Sequence, residues 1–216
     1  MQKPSNVIDI TDRLKNLAST KAVDFVKSGM VVGLGSGSTA EYAIREISNR
    51  IVKGKLSSII CIPSSTKTQN FAQELGLNLI GFKDISEIDV TIDGADEVDN
   101  QMNLIKGGGG ALLREKVLAQ NSRRNVIVVH ESKLSDMLGT KWAVPVEVLP
   151  FALETETRYL EIIGADVSLR ILEDGSPFIT DQNNFILDSN FGAIKNPKEL
   201  AGKLEHRAGI IEHGLF

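Results

Sequence analysis

Apolar side chains recur at helical spacing at Leu14, Leu17, Ala18, Ala22, Phe25 and Val26, which predicts an amphipathic helix over 11–28, ended by Ser28-Gly29. The stretch MVVGLGSGST then passes from an apolar run into glycines and hydroxyls, a short buried strand entering a turn. Ala43, Ile44, Ile47 and Ile51 share one face of a helix over 39–53. SSIICIP (57–63), NLIGF (78–82), IDVTIDG (88–94) and NVIVVHE (125–131) read as further strands. Helices over 66–75 and 111–120 fall between them, the first with N-cap candidates in Ser64-Ser65-Thr66. Strands alternating with helices predict an α/β fold, a doubly wound, mostly parallel (Rossmann-like) sheet.

The pattern changes near residue 133. A strand at 143–150, a helix at 152–163, strands in ADVSLRIL, FITD and FILDSNF, a helix at 197–206 and a strand in AGIIEHG follow, with turns at Asp174-Gly175 and Asn183-Asn184. That succession is the ferredoxin-like order. The expected organisation is a catalytic domain over 1–132 and a smaller α+β domain over 133–216, whose end could return to the first domain. No repeat or long linker interrupts it.

Composition is that of an ordinary globular protein, 42% hydrophobic and 24% charged. The net charge of -4 disfavours a general nucleic-acid binder and requires that any positive potential be local. Cys61 is the single cysteine, so no intrachain disulfide can form, and its apolar surroundings suit an inert core thiol. No apolar run is long enough for a transmembrane helix, and no secretory h-region opens the chain. A cytoplasmic setting without membrane contact is expected.

Chemistry concentrates in DGADEVDNQMNLIKGGGGALLREK, residues 93–116. Asp93 ends a strand and Asp96 follows closely. Lys106 precedes the glycines 107–110, and Glu115 lies in the helix beyond. Consecutive glycines cost backbone entropy, and a frequent reason to keep them is close approach of N–H groups to an anion. Apolar neighbours of Glu115 would desolvate it and raise its pKa toward that of a general base. Two further acids and a lysine then suit proton abstraction beside a carbonyl, with Lys106 and the loop N–H groups stabilising an enediolate. Glu97 and Asp99 read as capping or solvated acids.

The earlier loop GLGSGST (33–39) matches neither the dinucleotide fingerprint nor a P-loop. It is left as a nest in which Ser36, Gly37, Ser38 and Thr39 could hold a phosphate monoester, or as a strand-to-helix turn capped by Ser38 or Thr39. Both glycine loops follow parallel strands and would open at the same edge of the sheet. No His/Cys cluster has metal-ligand spacing.

The blocks GLGSGSTA, DGADEVD, KGGGGALLREK, ESK (131–133) and VPVEVLP, in this order over nearly the whole chain, resemble ribose-5-phosphate isomerase, type A. The resemblance implies interconversion of ribose 5-phosphate and ribulose 5-phosphate, without metal or other cofactor, by a homodimer or tetramer. It implies that Glu115 is the general base, that Asp93 and Asp96 serve ring opening and hydroxyl proton transfer, and that Lys106 is the cation beside the enediolate. Ser36, Gly37, Ser38 and Thr39 are the implied phosphate-side loop. Gly94, Ala95, Gly107, Gly108, Gly109, Lys133 and Lys15 are implied substrate contacts. Ser36 stands where the family commonly has threonine, and His130 where aspartate or a small residue is usual. The family chain runs on past Phe216 to add a strand to the first domain. A chain ending here, natural or trimmed, is expected to leave a sheet edge uncovered. A sugar-phosphate sensor would not need the acids, lysine and glutamate together, and an amino-sugar deaminase would bring a histidine near its acids. A CoA-transferase-like protein is the remaining alternative.

Overall fold

The structure, a computed structural model, describes residues 10–216. Helix α1 (Ile10–Ala22) leads into strand β1 (Val31–Leu34), helix α2 (Ser38–Val52), strand β2 (Ile60–Pro63) and helix α3 (Thr66–Glu74). Strand β3 (Val90–Asp93) precedes a hairpin of β4 (Glu97–Val98) and β5 (Leu104–Ile105), then helix α4 (Leu112–Gln120) and strand β6 (Asn125–Ile127). β2, β1, β3 and β6 form a parallel sheet in that order. After β1 the chain crosses to β2 on one side and returns to β3 on the other. The topological switch therefore lies between the carboxyl ends of β1 and β3, where open α/β sheets bind ligands. Val32, Leu34, Ile44, Ile47, Cys61, Val90 and Ile92 pack the core between this sheet and its helices. Cys61 is fully buried, and burial pushes its thiol up to about 12, which makes it inert.

Strand β7 (Val144–Val148), helix α5 (Leu153–Ile162), strands β8 (Asp166–Leu169) and β9 (Phe185–Asn190), helix α6 (Pro197–Glu205) and strand β10 (Ile210–His213) build the second unit. Its antiparallel sheet runs β10, β7, β9, β8, with Val146 opposite Leu187 and Val148 opposite Phe185. This is the strand succession and order of a ferredoxin-like unit. Val144, Val146, Val148, Leu160, Leu187 and Leu204 form a separate core.

Several elements depart from the periodicity. The first helix stops at Ala22, and a 3-10 turn over Val23–Phe25 follows. Val23 and Val26, three apart, enter the core, while Phe25 stays 45% exposed; the tighter turn aims the chain into β1. NLIGF forms no strand: Leu79 alone bridges Cys61, and a 3-10 turn over Phe82–Asp84 takes the chain away. FITD is a loop, not a strand. Its last residue, Asp181, instead accepts from the Thr66 N–H (2.7 Å) and pairs with Arg114 (3.2 Å), which docks the second unit on the first. The β4–β5 hairpin has too few residues per strand for a period-2 signal, and the sequence did not suggest it. The chain end pairs with it: Leu104 and Phe216 exchange backbone hydrogen bonds, and the Lys106 N–H donates to Gly214 O. Among the described residues, no helix is long and apolar enough to cross a membrane.

Candidate active site

Asp93 ends β3 with its side chain buried at the switch point. Its Oδ1 accepts from the backbone N–H groups of Gly94 (2.7 Å) and Ser36 (3.1 Å). Its Oδ2 accepts from Lys106 Nζ at 2.9 Å. Gly35 has no alternative here, because a Cβ would lie 2.1 Å from Asp93 Oδ1. Lys106 follows β5 and is also buried. Its ammonium donates to Gly94 O at 2.6 Å and lies 3.1 Å from Glu115 Oε2. The latter is a charge contact out of line for a hydrogen bond, so Glu115 Oε2 has no hydrogen-bond partner among the described residues.

Burial pulls the Lys106 ammonium down, but the charges of Asp93 and Glu115 outweigh it and hold the lysine charged well above its ordinary range. Burial pushes Glu115 up, Lys106 pulls it back, and Asp93 adds a further push, leaving it at about 7. A carboxyl group held there can take up and return a proton near neutrality.

Gly107 turns with φ +92°, open to glycine but not to most residues, and the Gly110 N–H closes the turn on Gly107 O at 2.9 Å. The Gly108 N–H donates to Asp96 Oδ2 at 2.7 Å. A Cβ at Gly108 would meet that carboxylate at 2.8 Å.

Across the cleft α2 begins at Ser38 with Gly37 as N-cap and no side-chain cap. The hydroxyls of Ser38 and Thr39 therefore do not cap the helix. The free N–H groups of its first turn and its dipole favour an anion there. Lys15 of α1 donates to Ser38 Oγ at 3.1 Å. Lys133, on a 3-10 turn over Glu131–Lys133, faces the same space with its ammonium 4.7 Å from the centre of the Trp142 ring.

A cleft of about 220 Å³ brings together Lys15, Ser36, Gly37, Ser38, Thr39, Ala95, Asp96, Lys106, Gly107, Gly108, Gly109, Glu115 and Lys133. Asp93 and Gly94 are not on its wall; they stand behind Lys106 and fix it. A larger groove of about 660 Å³ adjoins it between α1 and 128–131, but its walls are mostly apolar and carry none of the acids from the 93–116 stretch.

Ser36 lines the cleft, and its hydroxyl also has partners within the protein. Its hydroxyl lies within hydrogen-bond distance of Ser64 (2.8 Å), Ser65 (3.0 Å) and Thr68 (3.2 Å), in a network that ties the first glycine loop to the end of β2. Thr68 Oγ1 also donates to Gly35 O at 3.1 Å. The sequence suggested Ser64 and Ser65 only as caps, and Ser65 does cap α3 by accepting from the Thr68 N–H. The available signal was a hydroxyl-rich stretch at the carboxyl end of a parallel strand. Glu97 is neither a cap nor solvated. It is fully buried and accepts from the N–H groups of Gly139 (2.9 Å), Lys141 (3.2 Å) and Trp142 (3.2 Å), and so shapes the turn that carries Trp142 to Lys133. Asp99 does cap its own turn, accepting from Gln101 and Asn103. His130 lies on the cleft wall and accepts at Nδ1 from the Ser132 N–H, which orders the turn bearing Lys133.

Comparison with known proteins agrees over almost the full chain. Residues 60–216 match the family described as ribose 5-phosphate isomerase A (phosphoriboisomerase A). A ribose-5-phosphate isomerase A of Desulfatibacillum aliphaticivorans is 56% identical over 95% of this chain and 89% of its own length. The counterpart from Chloroflexus aurantiacus is 52% identical over 95% and 86%. Among solved structures, the ribose 5-phosphate isomerase of Plasmodium falciparum superposes with a TM-score of 0.91 at 41% identity, covering 95% of this chain and 90% of that one. A D-ribose-5-phosphate isomerase in complex with phospho-erythronic acid gives 0.92 at 37% identity, with the same coverage. With its charged trio at the switch point and relatives this similar along nearly the whole chain, the chain belongs to the ribose 5-phosphate isomerase A family.

Proposed function

We propose that this cleft interconverts ribose 5-phosphate and ribulose 5-phosphate through an enediolate, with Glu115 as the base. The observation that carries this reading is the buried pair of Glu115 and Lys106, 3.1 Å apart on the wall of a cleft that also holds an uncapped helix N-terminus. A phosphate on the first turn of α2, between Lys15 and Lys133, would direct the open-chain sugar carbons toward Glu115. The complex of a similar enzyme with phospho-erythronic acid, a phosphorylated sugar acid, supports an anionic ligand of this size.

In the forward direction the Glu115 carboxylate takes the proton from C2. The freed pair forms the C1=C2 bond, and the carbonyl electrons move to O1. Lys106 and the N–H groups of Gly107 and Gly109, which are not taken up by Asp96 as that of Gly108 is, stabilise the charged oxygen. Proton movement between the two oxygens, with Asp96 as the carboxylate on the cleft wall, leaves the carbonyl on C2, and Glu115 returns its proton to C1. Asp93 already accepts three hydrogen bonds, which favours a supporting role through Lys106. Lys106 supplies the positive charge that a metal ion supplies elsewhere. The resemblance further implies a homodimer or tetramer, which light scattering on the purified protein would measure.

The direct test is conversion of ribose 5-phosphate to ribulose 5-phosphate by purified protein in buffer containing EDTA. Turnover at an unchanged rate with chelator is expected. A folded protein that binds the sugar phosphate and does not convert it would overturn the proposal.

A further inference from the structure

The glycine loop at 107–110 faces a difficulty of its own composition. A run without side chains has no packing of its own to hold it, and backbone freedom here would spread the positions of the N–H groups that meet the substrate. Its N–H side is fixed by Asp96 through Gly108. Its carbonyl side is held from the other unit of the protein. Arg170, directly after β8, donates from Nη1 to Gly107 O at 3.0 Å and to Gly108 O at 3.1 Å. The same guanidinium is braced by Asp188 of β9, whose Oδ2 accepts from Nε at 2.9 Å and whose Oδ1 accepts from Nη2. The Arg170 side chain is only 14% exposed, so water competes weakly for these bonds. Phe178 closes the end of the loop, since a Cβ at Gly110 would lie 2.4 Å from its ring.

We propose that Arg170, braced by Asp188, is a positioning residue for the isomerisation: it clamps the carbonyls of Gly107 and Gly108 so that their loop presents its N–H groups and Lys106 to the reacting oxygens in one geometry. Arg170 is absent from the cleft wall and acts through the loop. Only a planar fork can serve a carboxylate with two of its nitrogens while a third reaches two carbonyls, so lysine cannot replace it. The second unit thereby becomes part of the site. The inference rests on the reading of 107–109 as the substrate cradle.

The test compares Arg170→Ala, Arg170→Lys, Asp188→Asn and Glu115→Gln in the full-length protein, with the folded fraction of each measured by thermal melt. Arg170→Ala should lower kcat about 100-fold with a smaller change in KM, because a loosened cradle loses transition-state contacts first. Arg170→Lys and Asp188→Asn should each lose roughly tenfold in kcat. Guanidinium chloride at low millimolar, non-denaturing concentration should restore about fivefold or more to Arg170→Ala and nothing to Glu115→Gln, since it can reoccupy the fork's place. A folded Arg170→Ala with kcat within about threefold of wild type, or a loss that guanidinium does not recover, overturns the inference. If Arg170→Ala does not fold, the two size-conserving variants decide, and kcat within about threefold in both has the same consequence. Glu115→Gln separates the failures. If it stays active the proposed base chemistry of this cleft itself fails, whereas an inactive Glu115→Gln beside a fully active Arg170→Ala sinks only the clamp.

Discussion

Lys106 and Lys116 are both buried, both contact carboxylates, and both approach the Phe216 ring, 5.5 and 4.7 Å from its centre. Their protonation is pushed in opposite directions. Burial pulls each ammonium down; at Lys106 the charges of Asp93 and Glu115 outweigh it, while at Lys116 the single close carboxylate of Glu212 does not. The charge count explains the division of labour. Asp93, Lys106 and Glu115 together leave one negative charge in excess, which Glu115 can neutralise by accepting a proton. Lys116 and Glu212, 2.6 Å apart, already balance. Lys116 also donates to His213 O at 2.7 Å, so its role is to pin α4 to β10. His213 is held neutral, its pKa brought down to about 4 by burial and by the Lys116 charge. Neighbouring residues on one helix turn thus carry the proposed proton transfer on one side and a static clamp on the other.

The largest effect that tests this contrast is on the base. Glu115→Gln keeps the shape and removes the proton acceptor, so kcat should fall about 10³-fold while sugar-phosphate binding by calorimetry stays near wild type. A variant keeping a tenth or more of the wild-type rate would take Glu115 out of that role, by about the same reckoning.

The pH dependence sharpens the same point. In the proposed mechanism the reactive form is the carboxylate, and burial holds the folded group at about 7, so kcat/KM should fall about tenfold per pH unit below that value and level off above it. A midpoint near an ordinary glutamate would mean that burial does not tune the group.

The smallest catalytic effect is expected at the clamp. Lys116→Met leaves Glu212 without its partner and should cost about 2 kcal/mol, a fall in melting temperature of roughly 5 °C. Its kcat at saturation should stay within about threefold of wild type and the pH midpoint should not move. A shifted midpoint would show that the two clusters are electrically one.

Much of the site was legible because its parts are local. Asp93, Asp96, Lys106, the glycines and Glu115 occupy one short stretch, and the strand-to-helix periodicity sends that stretch to the carboxyl edge of a parallel sheet. The second unit was legible as a succession of elements, and its sheet order followed. Expectation failed where segments were too short or too irregular for a period to register. NLIGF offers one bridging residue, and the β4–β5 hairpin offers two residues per strand.

By itself the sequence determined the fold class, the chemistry-bearing residues and the edge at which they gather, because side-chain periodicity and glycine chemistry are properties of neighbouring residues. Tertiary structure alone decided which carboxylate faces the cleft and which stands behind the lysine. It also decided that Ser36 joins a hydroxyl network with Ser64, Ser65 and Thr68, that buried Glu97 shapes the turn beneath Lys133, and that Arg170 reaches back to Gly107 and Gly108. The physical reason is common to all four. Burial and charge are sums over whatever packs nearby, and the partners that set them are brought together only when distant strands and turns close on one another.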